Sequence, residues 1–154
     1  RPGRGREVVE TVRAQVAEAG EKADAWDTAP RVLFFLNPPT AGTGGMAGGD
    51  GSRADALIRL AGARNAADSF SGFKQVSVEG ILEMNPDVIL VALSPGHGGT
   101  AESVEALRER AELAPVTAVR EGAVFGVPLD DIAFGPRLGE AALRWNTIIA
   151  ETLR

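Results

Sequence analysis

Cysteine is absent from all 154 residues, so neither a disulfide nor a zinc–thiolate site can form, and either redox compartment remains open. Tyrosine is absent too and histidine occurs once, which removes the ligand sets of the usual metalloenzymes. No apolar run approaches the roughly 20 residues that a membrane-spanning helix needs. No secretory-leader pattern stands at the N-terminus. The chain opens on Arg1 and reads as an excised piece of a longer polypeptide. Sixteen basic residues face 21 acidic ones, for a net charge of −5. No basic stripe exists to neutralise phosphates, which excludes a nucleic-acid binder. Neither a G-x-S-x-G elbow nor a P-loop Lys-Ser/Thr ending occurs, and the familiar hydrolase and NTPase chemistries lose their signatures.

What is present is an alternation of short elements. In "REVVETVRAQVAEAGEKADA" (6–25), Val8, Val12 and Val16 form a stripe with Val9 and Ala19 beside it, which predicts an amphipathic helix. "RVLFFL" (31–36) and "DVILVAL" (87–93) are continuous apolar runs of strand length, as in strands buried on both faces. "NPPTAGTGGMAGGDGS" (37–52) reads as a long Gly/Pro loop with almost nothing to pack. "SRADALIRLAG" predicts a helix with Ser52 as N-cap, Ala54, Leu57, Ile58 and Ala61 on one face, and a stop at Gly62. "SFSGFKQ" (69–75) reads as loop, and "SVEGILEMN" as a short helix from Ser77 that Pro86 ends. "AESVEALRERAEL" is helical, "VTAVREGAVFGVPLD" supplies one or two strands, and a final helix places Leu138, Ala142, Trp145, Ile149 and Leu153 on one side. Phe34, Phe35, Phe125 and Trp145 belong to the core, whereas Phe70 and Phe73 flank a turn with one of them exposed. Strands alternating with helices predict βαβ units and a mainly parallel sheet. Ligands of such sheets gather beyond the C-terminal strand ends. Segments 37–52 and 94–100 both follow strands and fall on that edge.

Several residues there invite a functional reading. "GTGGMA" matches the G-x-G-x-x-G/A dinucleotide fingerprint in letters, but "NPPTA" separates it from the strand and the next helix starts several residues later. His97, set among glycines, is either an ordinary loop histidine or a polar or metal-ligating contact. Met46 is a soft apolar contact or an inert loop residue. Glu79 complements the positive end of its helix dipole, or pairs with an arginine on another protein.

Three stretches, "RADALIRLAGARNAAD", "FSGFKQVSVEGILEMNPDVILV" and "DDIAFGPRLGEAALR", together resemble the C-terminal lobe of haemin-binding, substrate-binding proteins of ABC importers. The wider class also binds cobalamin and ferric siderophores, and the resemblance runs from residue 31 to the end. It implies a Rossmann-like, three-layer α/β lobe with a mainly parallel central sheet over 29–154. Residues 1–28 would then be the interlobe helix, and the N-terminal lobe would lie outside this chain. Relatives commonly read G-Y-K-P-L-S where this chain has "GFKQVS", with a cleft-facing tyrosine as an iron ligand. Phe73 stands at that position and cannot ligate; it is left to pack against a porphyrin face. Any axial ligand from this chain then falls to His97 or Met46. Lys74 and Arg137 would contact propionates through charge-assisted hydrogen bonds. Glu79 would dock on permease arginines. The resemblance implies no enzyme: haem is transported cargo, the partner is an ABC permease, and the location is the periplasm or a lipid-anchored cell surface. Cobalamin or a ferric siderophore is the alternative cargo. A Rossmann-like nucleotide- or metal-using enzyme domain is the reading from another class.

Overall fold

The structure is a computed structural model and describes residues 29–37, 45–94, 101–132 and 138–152. The expected interlobe helix over 1–28 lies outside the described residues. Two apolar runs build the centre: β1 (Arg31–Asn37) and β5 (Val88–Leu93) pair in parallel from Val32↔Val88 to Phe35↔Val91. Val32 to Phe35 and Val88 to Ala92 are almost wholly buried, which explains why neither run alternates. β6 (Val124–Pro128) extends the sheet in parallel beyond β5. On the other side of β1 stand β3 (Arg64–Asn65), parallel to its start, and β2 (Gly45–Gly48), antiparallel to its end. β4 (Phe73–Val76) pairs antiparallel with β2 and closes the order β4-β2-β1-β5-β6. Two successive reversals return β4 to the direction of β1, so β2 alone runs against the others. The expected α/β lobe with a mainly parallel sheet is what forms.

Two expectations need correcting. Residues 45–48 and 73–76 are strands, not loop, and Ala47 and Gly48 are buried rather than without packing. β2 has no branched or aromatic residue to announce it. Glycines at and just past its end serve close approach instead: a Cβ at Gly48 would meet the Ala54 Cβ at 2.9 Å, and one at Gly49 would meet the Phe70 ring at 2.5 Å. Gly45 to Ala47, being strand, also form no strand-to-helix phosphate turn.

The helices start where their caps predict. Ser52 Oγ accepts the Asp55 amide at the head of α1 (Arg53–Leu60), and Ser77 Oγ accepts the Gly80 amide at the head of α2 (Val78–Met84). α2 ends on Asn85 in the left-handed region (φ 42°), whose Oδ1 accepts the Thr117 amide at 2.8 Å. α3 (Ala101–Arg108) is shorter than its helical pattern and gives way to a 3-10 turn at Ala111–Leu113. The "VTAVREGAVFGVPLD" stretch yields a short helix, α4 (Thr117–Arg120), and then β6 alone. α5 (Leu138–Thr152) follows a 3-10 turn at Leu129–Ile132.

Strand alternation assigns the layers. On β4, Phe73 lies toward α1, its ring 3.3 Å from where a Gly48 Cβ would be, whereas Val76 lies toward α2, 3.0 Å from a Gly80 Cβ. α1 and α2 therefore cover opposite faces. α5 packs with α1, and Asn146 Nδ2 donates to the Ala61 carbonyl at 3.1 Å. Trp145 of α5 stacks on Phe34 of β1 with centroids 5.5 Å apart. Each large apolar side chain buried so completely contributes about 1.5–3 kcal/mol of transfer free energy. Phe125, expected in the core, is only half-buried and lies under the Arg108 guanidinium at 5.8 Å.

Candidate ligand-binding edge

Because β1, β5 and β6 run in parallel, their last residues Asn37, Leu93 and Pro128 share one edge of the sheet. Residues 38–44, 95–100 and 133–137, which follow beyond this edge, lie outside the described residues, and with them His97 and Arg137. The first two expected edge segments, 37–52 and 94–100, do start from this common edge.

Met46 is at the edge itself. Its backbone is level with Asn37 on one side and Gln75 on the other, and its side chain is half-buried, so it belongs to a strand and not to a free glycine loop. Phe73 stands lower, level with Gly48 and about 7 Å down the strand at roughly 3.3 Å per residue. With Leu82 it is one of the exposed large apolar side chains among the described residues, at 36%. Its ring crosses the bare backbone of Gly48 and reaches toward Ala54 and Ser52 at the head of α1. Lys74 is exposed and, by alternation, on the opposite face from Phe73. There it lines a polar groove of about 460 Å³ with Arg31, Phe70, Glu83 and Met84, between β4 and α2. The two neighbours thus cannot both lie flat against one ligand on a single sheet face. Glu79, in the first turn of α2, is exposed and has no partner among the described residues.

Sequence patterns left two polar clusters unseen. In the first, Asp55 accepts from Asn65 Nδ2 (3.0 Å), the Gly51 amide (3.1 Å) and Arg59 Nε (3.2 Å). Burial pushes the Asp55 pKa up, but the hydrogen bonds from Asn65, Gly51 and Arg59 outweigh it and hold the carboxyl below its ordinary 3.8. Asn65 Nδ2 also donates to the Gly48 carbonyl at 3.0 Å, and its Oδ1 accepts the Ala67 amide at 2.9 Å. The acid three residues after Ser52 was a legible capping signal, but Asn65 carried none. In the second cluster, Asp131, just past β6, accepts Trp145 Nε1 at 3.0 Å and pairs with Arg144. It fastens the carboxyl edge of β6 to α5.

Among the described residues no group of three His, Cys, Asp or Glu side chains could hold a metal ion. No helix among them is long and apolar enough to cross a membrane. Among the described residues, the edge offers apolar and backbone surface with isolated charges.

The periplasmic heme-binding protein BhuT, solved with two hemes, is similar with a TM-score of 0.81 and 27% identity, over 97% of this chain and 56% of its own. RhuT from Roseiflexus sp. RS-1, a periplasmic heme-binding protein solved in apo form, gives 0.81 and 28%, over 99% of this chain and 58% of its own. The molybdate-binding protein MolA of Haemophilus influenzae is 45% identical over 62 residues, which are 40% of this chain and 16% of MolA. This chain therefore spans little more than half of the two solved chains and a small part of MolA. The model of the family described as "Periplasmic binding protein" matches residues 1–130. With most of its length inside that match, the chain belongs to the periplasmic binding protein family.

Proposed function

We propose that this chain is the C-terminal lobe of an extracytoplasmic substrate-binding protein that captures haem and delivers it to an ABC permease. The observation that carries the reading is the likeness to two periplasmic heme-binding proteins along nearly all of this chain and little more than half of theirs. In this reading residues 1–28 are the interlobe helix, residues 29–154 are one lobe, and a second lobe closes the cleft. The protein is non-enzymatic and works in the periplasm or at the cell surface, where a lipid anchor outside this chain would hold it. Phe73 supplies a flat apolar contact for a porphyrin face. His97 or Met46 is the axial ligand this chain can offer, and Arg137 reaches a propionate from the rim, whereas Lys74 lies on the opposite face of β4 from Phe73 and serves the groove beside α2. Glu79 docks on the permease.

A second reading, another metal chelate such as cobalamin or a ferric siderophore, is favoured by one residue: Phe73 stands where a tyrosine ligand would be expected. Haemin titration of the complete polypeptide, followed by its absorption spectrum, separates the two. A saturable Soret shift that His97→Ala weakens supports haem. No shift with haemin, together with saturable quenching by cobalamin or a ferric siderophore, supports the alternative cargo. For Glu79, the expected outcome of Glu79→Ala is unchanged ligand affinity with reduced uptake; unchanged uptake leaves it a helix-start residue.

A further inference from the structure

β2 and β3 lie on the same side of β1: β3 beside Arg31 and Val32, β2 beside Phe35 and Asn37. They meet end to end, and the junction is filled by one side chain. Asn65, in β3 and 5% exposed, donates through Nδ2 to the Gly48 carbonyl at the end of β2 and to Asp55 Oδ1 on α1. Its Oδ1 accepts the Ala67 amide, so both ends of the carboxamide are used. Gly48 is the residue in register with Phe73. Just beyond this pair the chain is cross-tied again: the Gly49 amide donates to the Gly72 carbonyl (2.8 Å), Asp50 to Phe70 (2.8 Å) and Gly72 to Asp50 (2.9 Å). The platform under the Phe73 ring is thus backbone, and the side chain that holds that backbone in place is Asn65.

We propose that Asn65 is the positioning residue of the ligand-facing surface: by bridging Asp55 and the Gly48 carbonyl it sets the height of the β2–β4 pair and so the place of the Phe73 ring. This rests on the proposed reading in which Phe73 contacts the ligand. A preset aromatic saves the ligand the cost of ordering it. A merely structural Asn65 would affect every part of the lobe alike.

The test joins two readouts on the complete polypeptide. Asn65→Ala should speed amide exchange at Gly49, Asp50 and Gly72 by about tenfold or more while Ile89 and Val91 of β5 stay protected. With haemin as the probe, Asn65→Ala and Phe73→Ala should each weaken binding, and the double variant should be little weaker than Phe73→Ala alone. Asn65→Ser, whose hydroxyl still accepts from Ala67, serves if the alanine variant does not fold. Exchange that rises uniformly across the sheet, or does not rise at all, overturns the proposal. So do additive losses in the double variant. If the unmodified protein does not bind haemin, the ligand reading falls alone, and the exchange pattern still decides whether Asn65 clamps this surface.

Discussion

Replacing Asp55 by asparagine removes a charge while keeping the shape, and the structure limits what that costs. The carboxylate is 5% exposed and takes three hydrogen bonds. Bonds to a charged acceptor contribute about 1.5–3 kcal/mol each, but these three do not add, because two donors have other outlets. Arg59 has a 60% exposed side chain and rehydrates, so its share is about 0.3–0.5 kcal/mol. Gly51 is exposed, and its amide can turn to water. The replacement has one acceptor oxygen where the carboxylate had two, so either its NH2 meets buried Asn65 Nδ2 or, turned over, it meets the Gly51 amide and Arg59, and a donor faces a donor in both orientations. The expected loss is about 2 kcal/mol, or about 4–8 °C in Tm for a chain of this size. The pH dependence has a definite sign. A folded-state pKa below 3.8 means that the unfolded chain takes the proton first as pH falls. The stabilisation is therefore complete above the unfolded value and disappears as pH falls through the folded one. Urea unfolding of both proteins, followed by circular dichroism at about pH 7 and again at about pH 3, should show the gap narrowing in acid. A gap under about 0.5 kcal/mol at neutral pH, or one that stays constant in acid, refutes the assignment of Asp55 as a stabilising buried carboxylate.

Three further changes probe the packing around the edge. Gly126→Ala puts a Cβ 2.4 Å from Leu93 Cδ1 at the end of β5; urea unfolding should show a loss of about 1–3 kcal/mol, and a loss near zero would mean that Leu93 swings aside. Trp145→Phe keeps the stack on Phe34 but takes one of two partners from buried Asp131, with an expected cost of about 1–3 kcal/mol in thermal unfolding. Gly48→Ala drives a Cβ to 2.9 Å from Ala54 and 3.3 Å from the Phe73 ring, so it should displace the ring and weaken ligand binding; unchanged affinity would separate Phe73 from the ligand.

The fold was legible wherever one chain segment decides its own state. β1 and β5 announce themselves as unbroken apolar runs, and Ser52 and Ser77 cap the helices expected of them. β2 and β4 were hidden because their reason for existing is not local. "GMAG" has neither alternation nor branched residues; it is a strand because β1 offers an open edge and because glycine lets α1 and Phe70 come close. β4 carries Phe, Lys and Gln, all exposed, before a single buried Val76, so its burial pattern is that of an edge and not of a core strand. Asn65 escaped for a related reason: a buried asparagine is defined by the partners that converge on it from β2, α1 and its own chain.

The same distinction governs the site. Glu79 could be placed from sequence because it sits in the first turn of a capped helix, and its exposure follows from that; Phe73 was read only as one of two turn aromatics, and its strand was not legible. What sequence could not give was which face each residue serves. "FK" reads as one candidate contact, yet a strand turns its two side chains apart, Phe73 over the glycine backbone toward α1 and Lys74 into the groove beside α2. A ligand resting on Phe73 therefore meets an aromatic ring backed by Gly48 and α1, with no cation from its immediate neighbour to answer a carboxylate. Charge recognition has to come from elsewhere along the edge or from outside this chain. That consequence is testable: Lys74→Met should leave the affinity for haemin within about twofold while Phe73→Ala lowers it by about tenfold or more, on the scale of one lost aromatic contact. Equal losses from both would mean that the ligand wraps the β4 margin instead of lying on one face.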